Sequence, residues 1–352
     1  MTRLVDLGEY ALHKWLASAL GTADGALDRP GDDCAFLDLL PNHYLLVTSD
    51  RLPLNLTGEY AGRLVVTQSF SDIVSKGGQP KAFLLDVFLP RDATLDDFQA
   101  IVLGARREAE RYGAHIAGGD TKEDTKLTVV GVGIGLVEKP HRISRAGARP
   151  GDVVAMTLAG GQRVGGRWAK AVVDCLGADL APALRDALAE RYARDFQLPC
   201  REMQAAVATG RVTAATDNSD GLGGSLQLIG EASGVGFVLA RDSLLAILDP
   251  ILPDVANALA VDVLRFAFAP GYDWQCVVTV ARDGFEAARR AVTQAGGDLV
   301  AIGGVTADRA VRVADAAGRG ARLALFTDEK FKSTAWEEQP RRWLTFDMVT
   351  PE

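Results

Sequence analysis

Cysteine is scarce in this sequence, with only Cys34, Cys175, Cys200 and Cys276 among 352 residues. They stand far apart and form no CxxC pair, which argues against a zinc knuckle and a disulfide framework and leaves reduced, mostly buried thiols. Histidine is equally sparse, and His13, His43, His115 and His141 show no metal-ligand spacing. No G-x-S-x-G elbow supplies a serine nucleophile. Gly118-Gly119-Asp120-Thr121-Lys122 is not a Walker loop, because the four-residue spacing between its glycines is missing. No apolar run approaches the roughly 20 residues of a membrane helix. The start, Met1-Thr2-Arg3-Leu4-Val5-Asp6, lacks the basic-then-apolar order of a secretion signal. Positive charge is short as well: 38 Lys and Arg face 46 Asp and Glu, a formal net charge of −8. A nucleic-acid backbone needs a basic face, so it is not the expected main ligand. The expectation is a cytoplasmic enzyme with no membrane and no nucleic-acid partner, whose chemistry leans on carboxylates.

What is present describes a globular α/β chain. Hydrophobic residues make up 48% and charged residues 24% of the sequence, enough to bury a sizeable core. The length exceeds what one core usually serves, so two domains are expected. In the first half, short apolar runs at 44–48, 82–89 and 127–132 read as strands. Thr94-Leu95-Asp96-Asp97 reads as a capping-box start for a helix to about Tyr112, and a second helix is expected over Tyr60 to Lys76. Gly77-Gly78-Gln79-Pro80 then stops that helix. The turn at 147–152, followed by a strand at 153–157, marks the domain boundary. A helix-rich stretch over 164–209 and strands at 212–216, 236–239 and 276–280 complete a second domain of similar class, as an old duplication would leave. No short repeat is visible, which speaks against a solenoid.

Aspartates recur at loop and strand junctions. Gly31-Asp32-Asp33 precedes one apolar run, Thr48-Ser49-Asp50 closes the next, Asp72 interrupts the helix at Ser69-Phe70-Ser71-Asp72, and Asp120 follows two glycines that let a phosphate approach the backbone. Hard oxygen ligands of this kind suit magnesium, which usually keeps waters and is completed by substrate phosphates; ATP is the obvious such substrate. Taken one at a time, each motif also reads as a solvated turn or a surface helix residue. Their order is more informative than any one of them.

That order resembles the thiamine-monophosphate kinases and their superfamily, which includes aminoimidazole ribonucleotide synthetase, selenophosphate synthetase and a hydrogenase maturation factor. Members read G-D-D, T-T-D or S-T-D, N-L-S-D with M-G-A-x-P, G-G-D-T, R-x-G-A-x-P-G-D, D-I-S-D-G-L and G-G-E-D-Y-E in sequence. Here the corresponding segments are Gly31 to Asp33, Thr48 to Asp50, Ser69 to Asp72 with Lys76-Gly77-Gly78-Gln79-Pro80, Gly118 to Thr121, Arg145 to Asp152, Asp217 to Leu222, and Pro270 to Gln275. The resemblance runs from about Gly8 to Thr306. It implies an α/β (α+β) synthetase-superfamily architecture: a mixed-sheet N-terminal domain over 1–148 that binds ATP and magnesium and dimerises into a barrel-like core, an α/β domain over 149–325, and a tail over 326–352. It further implies magnesium ligands at Asp33, Thr48, Ser49, Asp50, Asp72, Asp120, Asp217 and Asp220. Gly118, Gly119, Arg145 and Ser219 would contact ATP, Asp50, Asp120, Asp217 and Arg145 would carry catalysis, and the active form would be a homodimer. Phosphoryl transfer suits such a set, since it needs positioning and charge neutralisation more than a dedicated base.

The acceptor half departs from the family. Thr57 stands about where the kinases place a substrate-binding histidine, and Tyr272 replaces the glutamate of G-G-E-D, followed by Asp273. These three are the candidate substrate residues. Losing an imidazole and a carboxylate should change the acceptor, because a polar pocket rejects a ligand that leaves its groups unpaired. The expectation is therefore a small-molecule kinase whose acceptor is not thiamine phosphate. Three alternatives stand beside it: an ATP-dependent cyclase or amide-forming ligase that works through a phosphorylated intermediate, a genuine thiamine-monophosphate kinase, and a non-catalytic nucleotide-binding relative. The tail segment from Trp336 to Trp343 reads either as packing or as part of the acceptor pocket.

Overall fold

The computed structural model describes residues 3–20, 31–52, 56–177, 180–193, 197–315, 320–324 and 339–350. The chain divides into two compact units, one formed by Leu20–Arg142 and the other by Met1–Ala19 together with Ile143–Glu352. Helices α1 (Leu4–Leu7) and α2 (Glu9–Leu20) come first.

The unit Leu20–Arg142 contains β1 (Ala35–Leu37), β2 (His43–Arg51), α3 (Gly58–Ser75), β3 (Gln79–Leu89), α4 (Leu95–Arg111), β4 (His115–Gly118), β5 (Thr121–Glu123) and β6 (Thr128–Glu138). Its mixed sheet runs β1-β2-β6-β3-β4, with β5 also pairing β3. The β2 and β6 strands are antiparallel, with Thr48 opposite Gly133 and Asp50 opposite Gly131. Side chains alternate between the faces, so Leu46 and Thr48 are buried on one side while Ser49 and Arg51 are exposed on the other. Helix α3 lies against the buried face. A Cβ on Gly133 would sit 3.1 Å from Ile73 and 3.3 Å from Ser69, and one on Gly135 only 2.5 Å from Ile73, so the glycines of β6 give the helix its close seat. Helix α4 then packs on α3 where Gly62 and Gly104 meet each other's helix backbone. The expected capping box is present: the Asp97 N–H donates to Thr94 Oγ1 at 3.1 Å and the Thr94 N–H to Asp97 Oδ2 at 2.9 Å. One expectation needs refinement. Gly77 (φ +69) ends α3 as anticipated, but Gln79 and Pro80 already belong to β3.

The other unit continues with β7 (Val153–Leu158), α5 (Gly166–Leu176), α6 (Pro182–Ala193), α7 (Cys200–Ala208), β8 (Val212–Asp217), α8 (Gly221–Ser233), β9 (Gly236–Ala240), α9 (Arg241–Ala246), α10 (Leu252–Ala258), β10 (Cys276–Val280), α11 (Phe285–Gln294), β11 (Asp298–Thr306), β12 (Val311–Ala314), β13 (Gly320–Leu323), α12 (Gln339–Thr345) and β14 (Val349–Thr350). Its sheet order is β14-β13-β12-β9-β11-β7-β10-β8. The core joins Trp168, Phe266, Leu226 and Trp343. Trp343 of the tail is fully buried, edge-on to Trp168 at 5.8 Å, and its carbonyl and that of Phe346 accept hydrogen bonds from Arg265. The tail helix therefore packs into its own unit, whereas Trp336, Glu337 and Glu338 lie outside the described residues.

Candidate functional site

The sheet and α3 of the unit Leu20–Arg142 bring the first group of candidates together. Thr48 and Asp50 leave β2 on the same face, because two residues along a strand is one full side-chain period. Asp72 rises from α3 beside them. Thr48 Oγ1 donates to Asp72 Oδ2 at 2.5 Å, and the Gln68 amide donates to Asp50 Oδ1 at 3.3 Å. Carboxylate oxygens of Asp33 and Asp72 lie within 4.8 Å of one another, close enough to share a cation. Asp50 Oδ2 is buried with no hydrogen-bond partner, as is the Ser69 hydroxyl oxygen. An orphaned buried carboxylate oxygen is costly and calls for a cation or water to complete it. Burial accordingly pushes the Asp50 carboxyl above its ordinary range, and the nearby Ser69 hydroxyl and then the Gln68 amide offset part of that. This oxygen-only donor set of Thr48, Asp50 and Asp72 fits magnesium. Cys34 is buried beside the group. Burial, and then the charges of Asp72 and Asp33, hold its thiol well above the ordinary range.

Asp33 has a different neighbour. Its Oδ2 lies 2.7 Å from the Ser75 hydroxyl and 2.7 Å from Lys76 Nζ, and the same ammonium lies 2.6 Å from Asp32 Oδ1. The Lys76 side chain is completely buried. A charge removed from water this fully is stable only when paired, and two carboxylates do that here. Sequence reasoning, intent on carboxylates, passed over this lysine. The signal was available as the only charged side chain in the otherwise apolar and small-residue run from Ile73 to Pro80.

Five further candidates belong to the same unit. Ser49 projects from the opposite face of β2 and is exposed. Asp120 is exposed between β4 and β5, where its carboxylate pairs with Lys122 at 2.7 Å, and the hydrogen bond from Lys122 holds its pKa below the ordinary range. Gly118 precedes it, and Gly119 (φ +146) passes so close to β3 that a Cβ would sit 1.8 Å from the Leu85 carbonyl. The backbone N–H of Asp120 donates to Asp86 Oδ1 at 2.7 Å, which fixes the loop. Asp86 was another omission, legible as the lone carboxylate in the apolar strand 82–89. Thr57 is exposed at the start of α3 and makes no side-chain cap.

The second group belongs to the other unit. Asp217 ends β8, is buried, and receives the Ser219 hydroxyl at 3.1 Å. Asp220 follows at the start of α8, exposed and without a side-chain cap. Arg145 reaches Thr216 Oγ1 at 3.3 Å, beside the same strand end. The loop from Ser219 to Gly221 runs backbone to backbone against Ala269 to Gly271, where a Cβ on Gly271 (φ +76) would sit 1.5 Å from the Ser219 carbonyl. The next residues are unusual in their backbone: Tyr272 (φ +71) and Trp274 (φ +47) both hold left-handed conformations that bulky residues rarely adopt. Tyr272 lies stacked on Trp168, with ring centroids 6.2 Å apart and planes 8° from parallel. Asp273 between them is half-buried and accepts the Gly165 N–H at 2.9 Å, which anchors the start of α5. Burial raises its pKa to about 7 against the pull of that N–H and of Arg167.

Two units of mixed α/β build, each with aspartates at strand ends, define the class, and the comparisons agree with it. Residues 31–137 match the family model of the AIR synthase related protein N-terminal domain, and residues 149–316 match its C-terminal domain. A thiamine-monophosphate kinase from Pyrococcus abyssi is 31% identical over 267 residues, 73% of this chain and 78% of its own length. One from Halobacterium salinarum is 33% identical, over 82% and 92% respectively. The fold is also that of AaThiL complexed with AMPPCP and TMP, at a TM-score of 0.73 and 23% identity, covering 92% of this chain and 99% of that one. The chain belongs to the AIR synthase related family, among its thiamine-monophosphate kinase-like members.

Proposed function

We infer that this protein is a magnesium-dependent kinase that transfers the terminal phosphoryl group of ATP to a small molecule other than thiamine phosphate. The kinase half rests on family membership, on relatives that are themselves named thiamine-monophosphate kinases, and on the buried donor set of Thr48, Asp50 and Asp72. Bound magnesium supplies charge neutralisation on the phosphates. In the unit Leu20–Arg142, Thr48, Asp50 and Asp72 would hold it, and Gly119 lets the loop before Asp120 pass close against β3. In the other unit, Asp217 and Asp220 offer further carboxylates, Ser219 orients Asp217, and Arg145 supplies a fixed positive charge. None of these residues needs to act as a strong base, in keeping with phosphoryl transfer.

The acceptor assignment rests on one observation above all: at the position of the family's substrate glutamate this chain presents Tyr272, stacked on Trp168. A tyrosine brings no carboxylate charge to that position, and the shorter, non-ionisable Thr57 hydroxyl does not reproduce an imidazole. We further assign the active form as a homodimer through the unit that carries Asp50. The test is purified protein with Mg-ATP, screened against thiamine phosphate and a panel of small alcohols, phosphates and carboxylic acids, with ADP and free phosphate followed separately. ADP accompanied by a new phosphorylated product is the expected result. Efficient turnover of thiamine phosphate alone overturns the acceptor assignment, and ADP with equimolar free phosphate and a condensed product replaces the kinase by a ligase or cyclase.

A further inference from the structure

We propose that the Lys76 ammonium is a built-in cation of the acidic cluster, occupying the place at Asp33 where a divalent ion is otherwise expected, so that removing its charge opens one further divalent-ion site. The inference rests on the metal-dependent kinase reading above.

Lys76 caps the C-terminal end of α3, where the helix dipole favours a positive charge. The left-handed Gly77 turns the chain away immediately afterwards, and Gly78 is so confined that a Cβ would lie 2.4 Å from Leu46 and 2.8 Å from the Ile73 carbonyl. The backbone that follows the lysine is therefore closely held. The lysine side chain ends 2.6 Å from Asp32 and 2.7 Å from Asp33, with no exposure to solvent. Asp33 Oδ2 receives the ammonium and the Ser75 hydroxyl together, so the oxygen that would face a metal is engaged by two donors. A divalent ion on that oxygen would meet a fixed positive charge across a few ångströms of low-dielectric interior, where like charges repel strongly. Asp50, by contrast, keeps an unpartnered buried oxygen. Lys76 is thus a positioning residue: it neutralises Asp32 and Asp33, holds them against α3, and leaves the unpartnered Asp50 oxygen as the open place for a divalent ion.

The test counts bound Mn2+ per chain by equilibrium dialysis, with free Mn2+ read by electron paramagnetic resonance, in the presence of a non-hydrolysable ATP analogue. Wild type is compared with Lys76→Met and with Asp32→Asn/Lys76→Met, the second variant relieving the carboxylate repulsion that could unfold the first. Each folded variant is expected to bind one more Mn2+ than wild type. Equal, non-zero counts in all proteins overturn the inference and leave the nucleotide site standing. Counts of zero throughout overturn both the inference and the metal-dependent kinase reading beneath it.

Discussion

Asp50 sets stability against function. Its Oδ2 is buried without a partner and its carboxyl is pushed up by that burial, so the folded chain carries an unfavourable charge that only a bound cation relieves. Asp50→Asn removes the charge and keeps an acceptor for Gln68. Its melting temperature in EDTA is expected to equal or exceed that of wild type, while Mn2+ affinity falls at least tenfold; a variant that loses stability and keeps its affinity contradicts the assignment. Asp273 behaves in a different way, because no cation is proposed there. Its pKa rises from 3.8 to about 7 on folding, so the folded form holds a proton that the unfolded form releases between those values. Stability contributed by this group is therefore lost as pH rises from about 4 to 7, by roughly 4 kcal/mol at most for a shift of about three units. Urea unfolding of Asp273→Asn across pH 4.5 to 8 should show a flatter profile than wild type, and parallel profiles would exclude the protonated Asp273. At this scale the motifs singled out the carboxylates, yet they could not show which share a face. Ser49 lies between two site residues in the sequence and on the other side of the strand in space, and Lys76 revealed its part only once Asp32 and Asp33 were seen around it.

Helix α4 and its seat on α3 separate what local chemistry announces from what tertiary contact decides. The Thr94 and Asp97 capping box was legible because its two hydrogen bonds join residues three apart. Thr94→Ala should cost about 1 kcal/mol in urea unfolding, the usual worth of such a cap. The crossing of α3 and α4 was not legible, since nothing near Gly62 in the sequence mentions Ile101. A Cβ on Gly62 would lie 1.9 Å from the Ile101 carbonyl, and one on Gly104 2.2 Å from that of Glu59. Backbone cannot yield as a side-chain tip does, so Gly62→Ala should destabilise by more than Thr94→Ala, on the order of 2–3 kcal/mol for overpacking. A smaller loss for Gly62→Ala than for the cap would show that the helices can separate without penalty. The same distinction explains β3: Gly77 punctuates the helix locally, but only pairing with Leu136 and Gly135 of β6 draws Gln79 and Pro80 into a strand.

Assembly is where sequence reading leaned wholly on resemblance, and the sheet of the unit Leu20–Arg142 supplies a physical argument for it. Along β6, Val129, Gly131, Gly133, Gly135 and Val137 are buried, whereas Val130, Val132, Ile134 and Leu136 on the opposite face are only half-buried. Register extends that apolar row sideways: Val47 of β2 and Ala82 of β3 flank Ile134, and Leu84 flanks Val132. Contiguous apolar surface on a sheet is seldom left to water, and a second copy of the same face is the simplest cover, because a two-fold axis lets one patch serve both partners. Sedimentation equilibrium at micromolar concentration should then report a dimer for wild type and a monomer for Ile134→Asp. The substitution projects away from α3, so near-ultraviolet circular dichroism of the variant should retain its native form even as the partner is lost. A monomeric wild type would remove the homodimer from the proposed function, and a dimeric Ile134→Asp would move the interface to another surface.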